Sequence, residues 1–288
     1  MTLVLFDAFN GLIVGFFYAL MALGLSLVIG LNGIINFAQG AFMMLGAYIA
    51  FTIMPVTGFW GSLILAPIFA GALGWIAERW LIRPLYGRDP LYSLLLTFGL
   101  ALVIQDLART IWGATGLPFQ IPSYLDHPLS QAAFFVTGYR LVVIVVTAAV
   151  TGALFAILRY TRLGVCIRAG LGDLEAVSSL GVNVFFLRAA NFALGILLAG
   201  VAGILAAGQL GLQPALGMSV IMPSFVAIIV GGVGSLVGSL LGGLIIGVAA
   251  GVVTAFYPPA SEVTIYVIMA LVLAFRPRGL LGEEGALD

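Results

Sequence analysis

The sequence predicts an all-α integral membrane protein, a polytopic helical bundle of about eight spans with one of them broken or re-entrant. Of its 288 residues, 62% are hydrophobic and only 8% are charged. A soluble domain carries about a quarter charged residues, so a chain this apolar must have lipid as its solvent. The apolar residues also form runs of roughly the 20 residues that a spanning helix needs. These runs alternate only weakly in hydrophobicity, which argues against a membrane barrel.

Eight apolar runs follow one another as a single transmembrane domain over residues 1–288. They cover residues 10–30, 34–54, 61–82, 91–112, 139–160, 185–208, 222–257 and 263–275. The run at 222–257 is too long for one span, and Gly231, Gly232, Gly234 and Gly238 interrupt its middle. We expect a short half-helix, a glycine turn and a full helix there. Because non-helical backbone at membrane depth must be covered by protein or line a cavity, this break indicates a transport pathway.

Arginine determines the predicted orientation, because the chain contains no lysine. Most of the arginines follow the third run, surround the interval between the fifth and sixth runs, or follow the last run. The positive-inside rule places these segments and the C-terminus in the cytoplasm, and the loop at 113–138 outside. The N-terminus lies outside if the run at 34–54 crosses fully, and inside if that run is only partly inserted.

Small residues recur every four positions in the later runs, as in Gly195, Ala199 and Gly203, or in Gly243 and Gly247. Such stripes let two helices approach closely. They predict either close packing within the bundle or an interface, fixed or moving, between subunits.

The polar interval at 161–184 is predicted to contain a short amphipathic helix. Asp173 is a good N-cap, and Gly181 ends about two turns of helix over 174–180. Leu174, Val177 and Leu180 share one face of that helix by their spacing. This apolar face either packs on the protein's own bundle or membrane surface, or docks in a groove of a soluble partner.

Uncharged polar side chains in or beside the apolar runs are candidates for a substrate pathway. They are Asn36, Gln39, Gln209, Gln213 and Ser224. Their alternative role is hydrogen bonding between helices. Asp106 stands three residues before Arg109 on one predicted helix, so we expect the two charges to neutralise each other. With one cysteine, one histidine and a net charge of +0, the sequence predicts no catalytic site, no metal site and no nucleic-acid binding.

Seven short motifs are spread over nearly the whole chain. They are GIINFAQG at 33–40, MLGAY at 44–48, LTFG at 96–99, EAVSSLG at 175–181, LAGVAGIL at 198–205, VGGVGSL at 230–236 and FRPRGLLG at 275–282. Together and in this order they resemble the LivH-type permeases of branched-chain amino-acid ABC transporters. EAVSSLG is similar to the coupling loop of ABC importer permeases, with Val177 in place of its second alanine. Gln39 departs from the histidine that many such permeases carry, and we expect this departure to bear on substrate range.

The resemblance implies an ATP-driven importer of leucine, isoleucine and valine that works by alternating access in the bacterial inner membrane. The implied partners are a second, LivM-type permease, two ATPase subunits, an extracytoplasmic substrate-binding protein and the lipid bilayer. The implied ATPase-coupling residues are Arg168, Asp173, Leu174, Glu175, Ala176, Val177, Leu180 and Gly181. The chain itself should bind no cofactor, because ATP and Mg are used by the ATPase subunits. Without lysine it cannot form the phosphate-binding Gly-x-x-x-x-Gly-Lys-[Ser/Thr] loop.

Two other functions stay open on the sequence. An importer of the same family could carry urea, short amides or other small amphiphiles. An autonomous secondary transporter would need a coupling charge inside the membrane, for which Asp106 is the only plausible residue. A membrane-embedded enzyme lacks candidate catalytic residues.

Overall fold

The computed structural model describes residues 2–127 and 136–282, and within these ranges the chain is helical without a β-strand. The α-helices are α1 (Thr2–Leu27), α2 (Ala38–Ala77), α3 (Pro90–Trp112), α4 (Gly138–Tyr160), α5 (Arg162–Gly172), α6 (Leu174–Ser179), α7 (Val184–Leu210), α8 (Leu216–Gly231), α9 (Leu236–Thr254) and α10 (Ser261–Phe275). Two π-helical turns, Val28–Asn32 and Glu78–Ile82, continue α1 and α2. The predicted all-α membrane fold is confirmed.

The long helix α2 supplies two of the predicted spans. With its π-helical and 3₁₀ extension it covers 48 residues, about 70 Å at 1.5 Å per residue and more than twice the hydrocarbon core. Gly58 interrupts it with a φ of 69° and a ψ of 177°, a left-handed conformation that favours glycine. The two halves of α2 are therefore separated by a one-residue break, whereas the two predicted runs left residues 55–60 between them.

The predicted broken run at 222–257 is confirmed as a short helix, a glycine turn and a longer helix. Helix α8 ends at Gly231, Gly232 and Gly234 have φ values of 110° and 88°, and α9 begins at Leu236. Helix α8 begins at Leu216, six residues before the predicted start at 222. The helix continues through Pro223, which lies within the predicted run.

Helices α1 and α7 form the buried centre of the bundle, and the glycine stripes pack inside it. The backbone of α9 lies directly against α1, so that a Cβ at Gly247 would meet Gly11 and Gly15. Gly195 lies against Gly24 of α1, and Gly203 against the Met43 carbonyl of α2. Of the two roles predicted for these stripes, the structure shows close packing within one chain.

Most of the arginines lie at one end of the bundle because of the directions in which the helices run. This end is here called the arginine-rich end. It contains Arg79, Arg83, Arg88, Arg159, Arg162, Arg168, Arg188, Arg276 and Arg278. At the opposite end, Trp60 donates a hydrogen bond of 2.7 Å to Tyr124, and Leu117 pairs with Leu212. This end joins the loop after α3 to the start of α2's second half and to the end of α7.

Candidate functional site

The interval at 161–184 forms two short helices at the arginine-rich end. Asp173 caps α6 as predicted, accepting a hydrogen bond of 2.9 Å from the Ala176 amide. Gly181 has a φ of 82° and ends the turn, also as predicted. Helix α5, which the sequence reading did not anticipate, precedes α6 and is capped by the Thr161 hydroxyl. The two helices give this segment a fixed position on the bundle.

The predicted apolar face of α6 is divided between the bundle and the exterior. Val177 is buried, and Leu174 is half-buried against Gly170, Leu31 and Leu187. Leu180 instead is 83% exposed. The helix ends at Ser179, and Leu180 is the C-cap residue that follows it.

The exposed side of the segment is the surface available to a partner. It consists of Arg168, Glu175, Ala176, Leu180 and Gly181, all of which are exposed, together with the capping residue Asp173. The exposed Glu175 and Leu180 give this side one negatively charged and one apolar side chain. The buried Val177 packs α6 on the bundle.

A polar network crosses the bundle just inside the arginine-rich end, and it consists of Asn32, Glu78, Tyr86, Arg188 and Asn191. The Asn32 amide nitrogen donates to the Tyr86 hydroxyl at 2.7 Å, and that hydroxyl donates to Glu78 Oε1 at 2.8 Å. Glu78 is only 1% exposed. Tyr86 therefore connects the two π-helical turns, one through Asn32 and the other through Glu78. Single π-helical turns next to α-helices are frequently found at functional sites.

Helix α7 enters the polar network from the other side. The Asn191 amide nitrogen donates to Asn32 Oδ1 at 2.9 Å and to the Leu27 carbonyl at 2.7 Å. The Arg188 guanidinium stacks on the Tyr86 ring at 4.1 Å. Burial, with the neighbouring Glu78 carboxylate, raises the pKa of Tyr86 well above its usual range. The hydroxyl thus stays protonated and remains a donor to Glu78.

Replacing Tyr86 with phenylalanine is expected to lower the free energy of unfolding by about 1–3 kcal/mol, because a buried carboxylate and a buried amide each lose a partner. The ring beneath Arg188 is retained, so the change isolates the hydroxyl. Thermal unfolding of the purified protein in detergent measures the effect. Tyr160→Phe is the matched control, since Tyr160 is 78% exposed. Equal melting of the two variants would contradict a structural role for the network.

A non-helical segment at residues 33–37 lies directly beyond the network, between the π-helical turn and α2. Gly33 opens it with a φ of 68°. The Thr97 hydroxyl of α3 donates to the Ile35 carbonyl at 3.2 Å, and the Phe37 ring packs on Phe225 of α8 at 5.0 Å. The break predicted for 222–257 thus has a second, unpredicted counterpart here, covered by α3, α7 and α8.

Two of the five predicted pathway residues meet at this segment. Asn36 and Gln39 are both fully buried, and the Asn36 amide nitrogen donates to Gln39 Oε1 at 3.1 Å. Gln39 Nε2 in turn donates to the Gly195 carbonyl at 2.8 Å. Asn36 Oδ1 has no hydrogen-bond partner among the described residues. It is the one atom of this pair that is free to accept a hydrogen bond.

The other three predicted pathway residues lie on α7, in the loop that follows it and on α8. Gln209 is half-buried near the end of α7, and Gln213 is exposed in the following loop. Ser224 is buried, and its hydroxyl donates to the Val220 carbonyl of its own helix at 2.7 Å. The sequence reading missed Asn191, Tyr86 and Glu78, although a lone asparagine in the apolar run at 185–208 was a visible signal.

Charged groups that could serve metal binding or ion coupling are sparse. No cluster of three or more His, Cys, Asp or Glu side chains that could hold a metal occurs in residues 2–127 and 136–282. Asp106 is exposed on α3, as is Arg109. The two side chains form no ion pair among the described residues, so the structure does not support the expected neutralisation of their charges.

Comparison with known proteins gives these features a family context. A profile of the family described as branched-chain amino acid transport system permease component matches residues 8–274. The chain belongs to this family. This permease is 33% identical to the high-affinity branched-chain amino acid transport system permease protein LivH of Escherichia coli K12, over 96% of this chain and 94% of that protein. It is also 33% identical to the corresponding BraD protein of Pseudomonas aeruginosa, over 95% and 94%.

Two further similarities bear on pairing and fold. The permease is 28% identical to E. coli K12 LivM, over 92% of this chain and 67% of that protein. PsaBC from Streptococcus pneumoniae, solved in complex with Fab, matches with a TM-score of 0.51 over 93% of this chain and 91% of that chain, at 12% identity. The latter similarity concerns the fold alone. The resemblance to LivH-type permeases drawn from the sequence motifs is confirmed.

Proposed function

We propose that this permease is the transmembrane subunit of an ATP-driven importer that moves leucine, isoleucine and valine across the bacterial inner membrane. The observation that carries the proposal is the 33% identity with LivH over 96% of the chain. The packing of α6 adds independent support, since it holds an exposed contact rigidly at one end of the bundle. A protein that transported alone would not need such a contact.

The arginine-rich end faces the cytoplasm in this proposal, and the C-terminus lies there too. The positive-inside rule supports this orientation. Because the first half of α2 has enough residues to cross the membrane before Gly58, the N-terminus lies outside. The end that carries Trp60 and Tyr124 then receives the extracytoplasmic substrate-binding protein.

The partners in the cytoplasm are two ATPase subunits, which supply ATP and Mg, and one of them contacts Glu175 and Leu180. A LivM-type permease completes the transmembrane pair, and the 28% identity with LivM supports two related halves. This chain contributes no nucleotide site of its own. The interior glycine stripes are already used within the chain, so the second permease docks elsewhere.

Coupling is proposed to run from α6 into the bundle through a shared apolar cluster. Val177 and Leu174 pack in this cluster with Leu31, at the end of the π-helical turn after α1, and with Leu187, near the start of α7. From these ends the polar network leads to the segment at 33–37. A shift of α6 on ATP binding would therefore move the segment that holds Asn36 and Gln39. Alternating access then exposes these two amides to the substrate. Asn36 Oδ1 accepts a hydrogen bond from the ammonium group of the amino acid.

Copurification tests the proposal. A C-terminally tagged permease, expressed with its natural neighbours and extracted in mild detergent, should bring down two ATPase chains and a second permease. Competition between candidate substrates in an uptake assay measures the substrate range. The same assay distinguishes transport of branched-chain amino acids from transport of urea and short amides. Recovery of the permease alone, or only as a homo-oligomer in several detergents, would contradict the proposal.

A further inference from the structure

A long apolar groove runs between the second half of α2 and α7 on the surface of the bundle. Its volume is about 550 Å³, and apolar side chains line it. The floor consists of the small residues Gly71, Ala72, Ala190 and Ala193. The two helices approach closely at this floor, since a Cβ at Gly71 would lie 3.2 Å from the Ala193 carbonyl oxygen, and the small side chains leave a groove on the surface over that contact.

A second cavity continues this groove toward the arginine-rich end. Its volume is about 200 Å³, and Arg79 and Arg83 line it together with Phe185. Trp75 lines both cavities, so the two are adjacent. The Arg83 guanidinium lies 3.8 Å from the centre of the Phe185 ring, which fixes its position at the mouth. The whole site is thus apolar along its length and cationic at one end.

The cationic end has a net positive charge despite the buried Glu78. Among the residues that line this cavity, Arg79, Arg83 and Glu78 are charged, so two positive charges face one negative charge. The Tyr86 hydroxyl already donates to that carboxylate. The two arginines at the mouth therefore have charge available for an anion from outside the protein.

The dimensions of the site match one leaflet of a bilayer. Eleven residues separate Ile68 in the groove from Arg79, which is about 16 Å of helix, and half of the hydrocarbon core is about 15 Å thick. An acyl chain in the groove would therefore bring its own phosphate to the arginines. Basic pockets between transmembrane helices on the cytoplasmic side are suited to anionic lipid headgroups.

We propose that this groove and pocket together bind an anionic phospholipid, with its phosphate between Arg79 and Arg83 and one acyl chain along the floor of small residues. Phosphatidylglycerol has the required chemistry. A second protein chain would fill the apolar groove equally well, but it would need an acidic group at membrane depth to meet the arginines. The inference does not depend on the transported substrate.

Lipid binding to the purified permease in a neutral detergent tests the proposal, with native mass spectrometry to measure affinity. Dioleoylphosphatidylglycerol should bind at least about tenfold more tightly than dioleoylphosphatidylcholine. The double variant Arg79→Gln/Arg83→Gln should lose that preference. Arg88→Gln, an exposed arginine at the same end that does not line the site, should keep it.

A second variant tests the acyl groove independently of charge. Ala193→Phe should fill the floor and weaken binding of both lipids. Gly152→Phe is its control, because Gly152 is exposed on α4 with no neighbour within 4 Å.

Equal affinity for the two lipids would overturn the proposal, as would an unchanged preference in the double arginine variant. Displacement of the lipid by millimolar inorganic phosphate would assign the pocket to free phosphate instead. Loss of lipid from the copurified complex would assign the groove to the second permease.

Discussion

Uptake is expected to fall at least about thirtyfold when Glu175 is replaced with lysine. Glu175 is exposed on α6 and Leu180 is exposed just after its end, and both belong to the segment proposed for the ATPase contact. Reversing a charge at a docked interface costs about 2–5 kcal/mol, and each 1.4 kcal/mol is a factor of ten. Radiolabelled leucine uptake in cells measures the effect, and immunoblotting of membranes measures insertion.

The lysine variant should insert and melt normally, because the Glu175 side chain lies outside the core. Leu180→Asp should have a similar effect on uptake, since it removes the apolar half of the same contact. Glu262→Lys makes the same charge change at the opposite end of the bundle and should leave ATPase copurification intact. Normal uptake by Glu175→Lys, at a normal membrane level, would rule out α6 as the coupling helix.

Replacing Gly247 with leucine is expected to reduce the amount of folded permease in the membrane about tenfold or more. A Cβ at Gly247 would meet the backbone of Gly11 and Gly15, and backbone cannot move aside as a flexible side chain can. Overpacking costs about 1–3 kcal/mol and occasionally more. Since native proteins are only about 5–15 kcal/mol stable, separating α1 from α9 should expose the bundle to unfolding. Quantitative immunoblotting and thermal unfolding measure both effects.

Gly152→Leu is the matched control for this change. Gly152 lies in a helix of similar length, and a Cβ there has no neighbour within 4 Å. The control should accumulate and melt like the unaltered protein. If Gly247→Leu also folded normally, the close α1–α9 contact would not be needed for the fold.

The helices of the bundle could be predicted from the sequence because the lipid bilayer strongly restricts which secondary structure an apolar segment can adopt. Apolar runs of sufficient length must be helical, and the glycines near 231–238 fixed the turn between α8 and α9. The predicted boundaries differ from the observed ones. Gly58 breaks α2 where the two predicted runs left residues 55–60 between them, and α8 begins at Leu216 instead of at 222. Both boundaries depend on how neighbouring helices pack, which a linear sequence does not display.

The segment at 161–184 was predictable where its signals are local. Asp173 and Gly181 have their predicted roles because capping depends on residues only a few positions away. The burial of Val177 and the exposure of Leu180 could not be distinguished from their spacing, since burial depends on how α6 packs on the bundle. Helix α5 was not predicted, and its two glycines at 164 and 170 are used for packing, Gly164 on Leu158 and Gly170 on Leu31.

The polar network could not be predicted from the sequence because its hydrogen bonds join residues that are far apart along the chain. Asn32 and Asn191 are separated by 159 positions, and Asn32 and Tyr86 by 54. Asn36 and Gln39 could be paired because they are three positions apart. Their burial, and their separation from Gln209 and Gln213, emerge only from the packing of α1, α2 and α7.

Leucine uptake into proteoliposomes tests the central claim most directly. The complex copurified with the permease is reconstituted with the binding protein and leucine outside and ATP with Mg in the lumen. The account predicts accumulation of leucine that requires lumenal ATP and survives collapse of the proton gradient. Accumulation that proceeds without ATP and stops when the proton gradient is collapsed would contradict it, and would direct attention to Asp106 on α3.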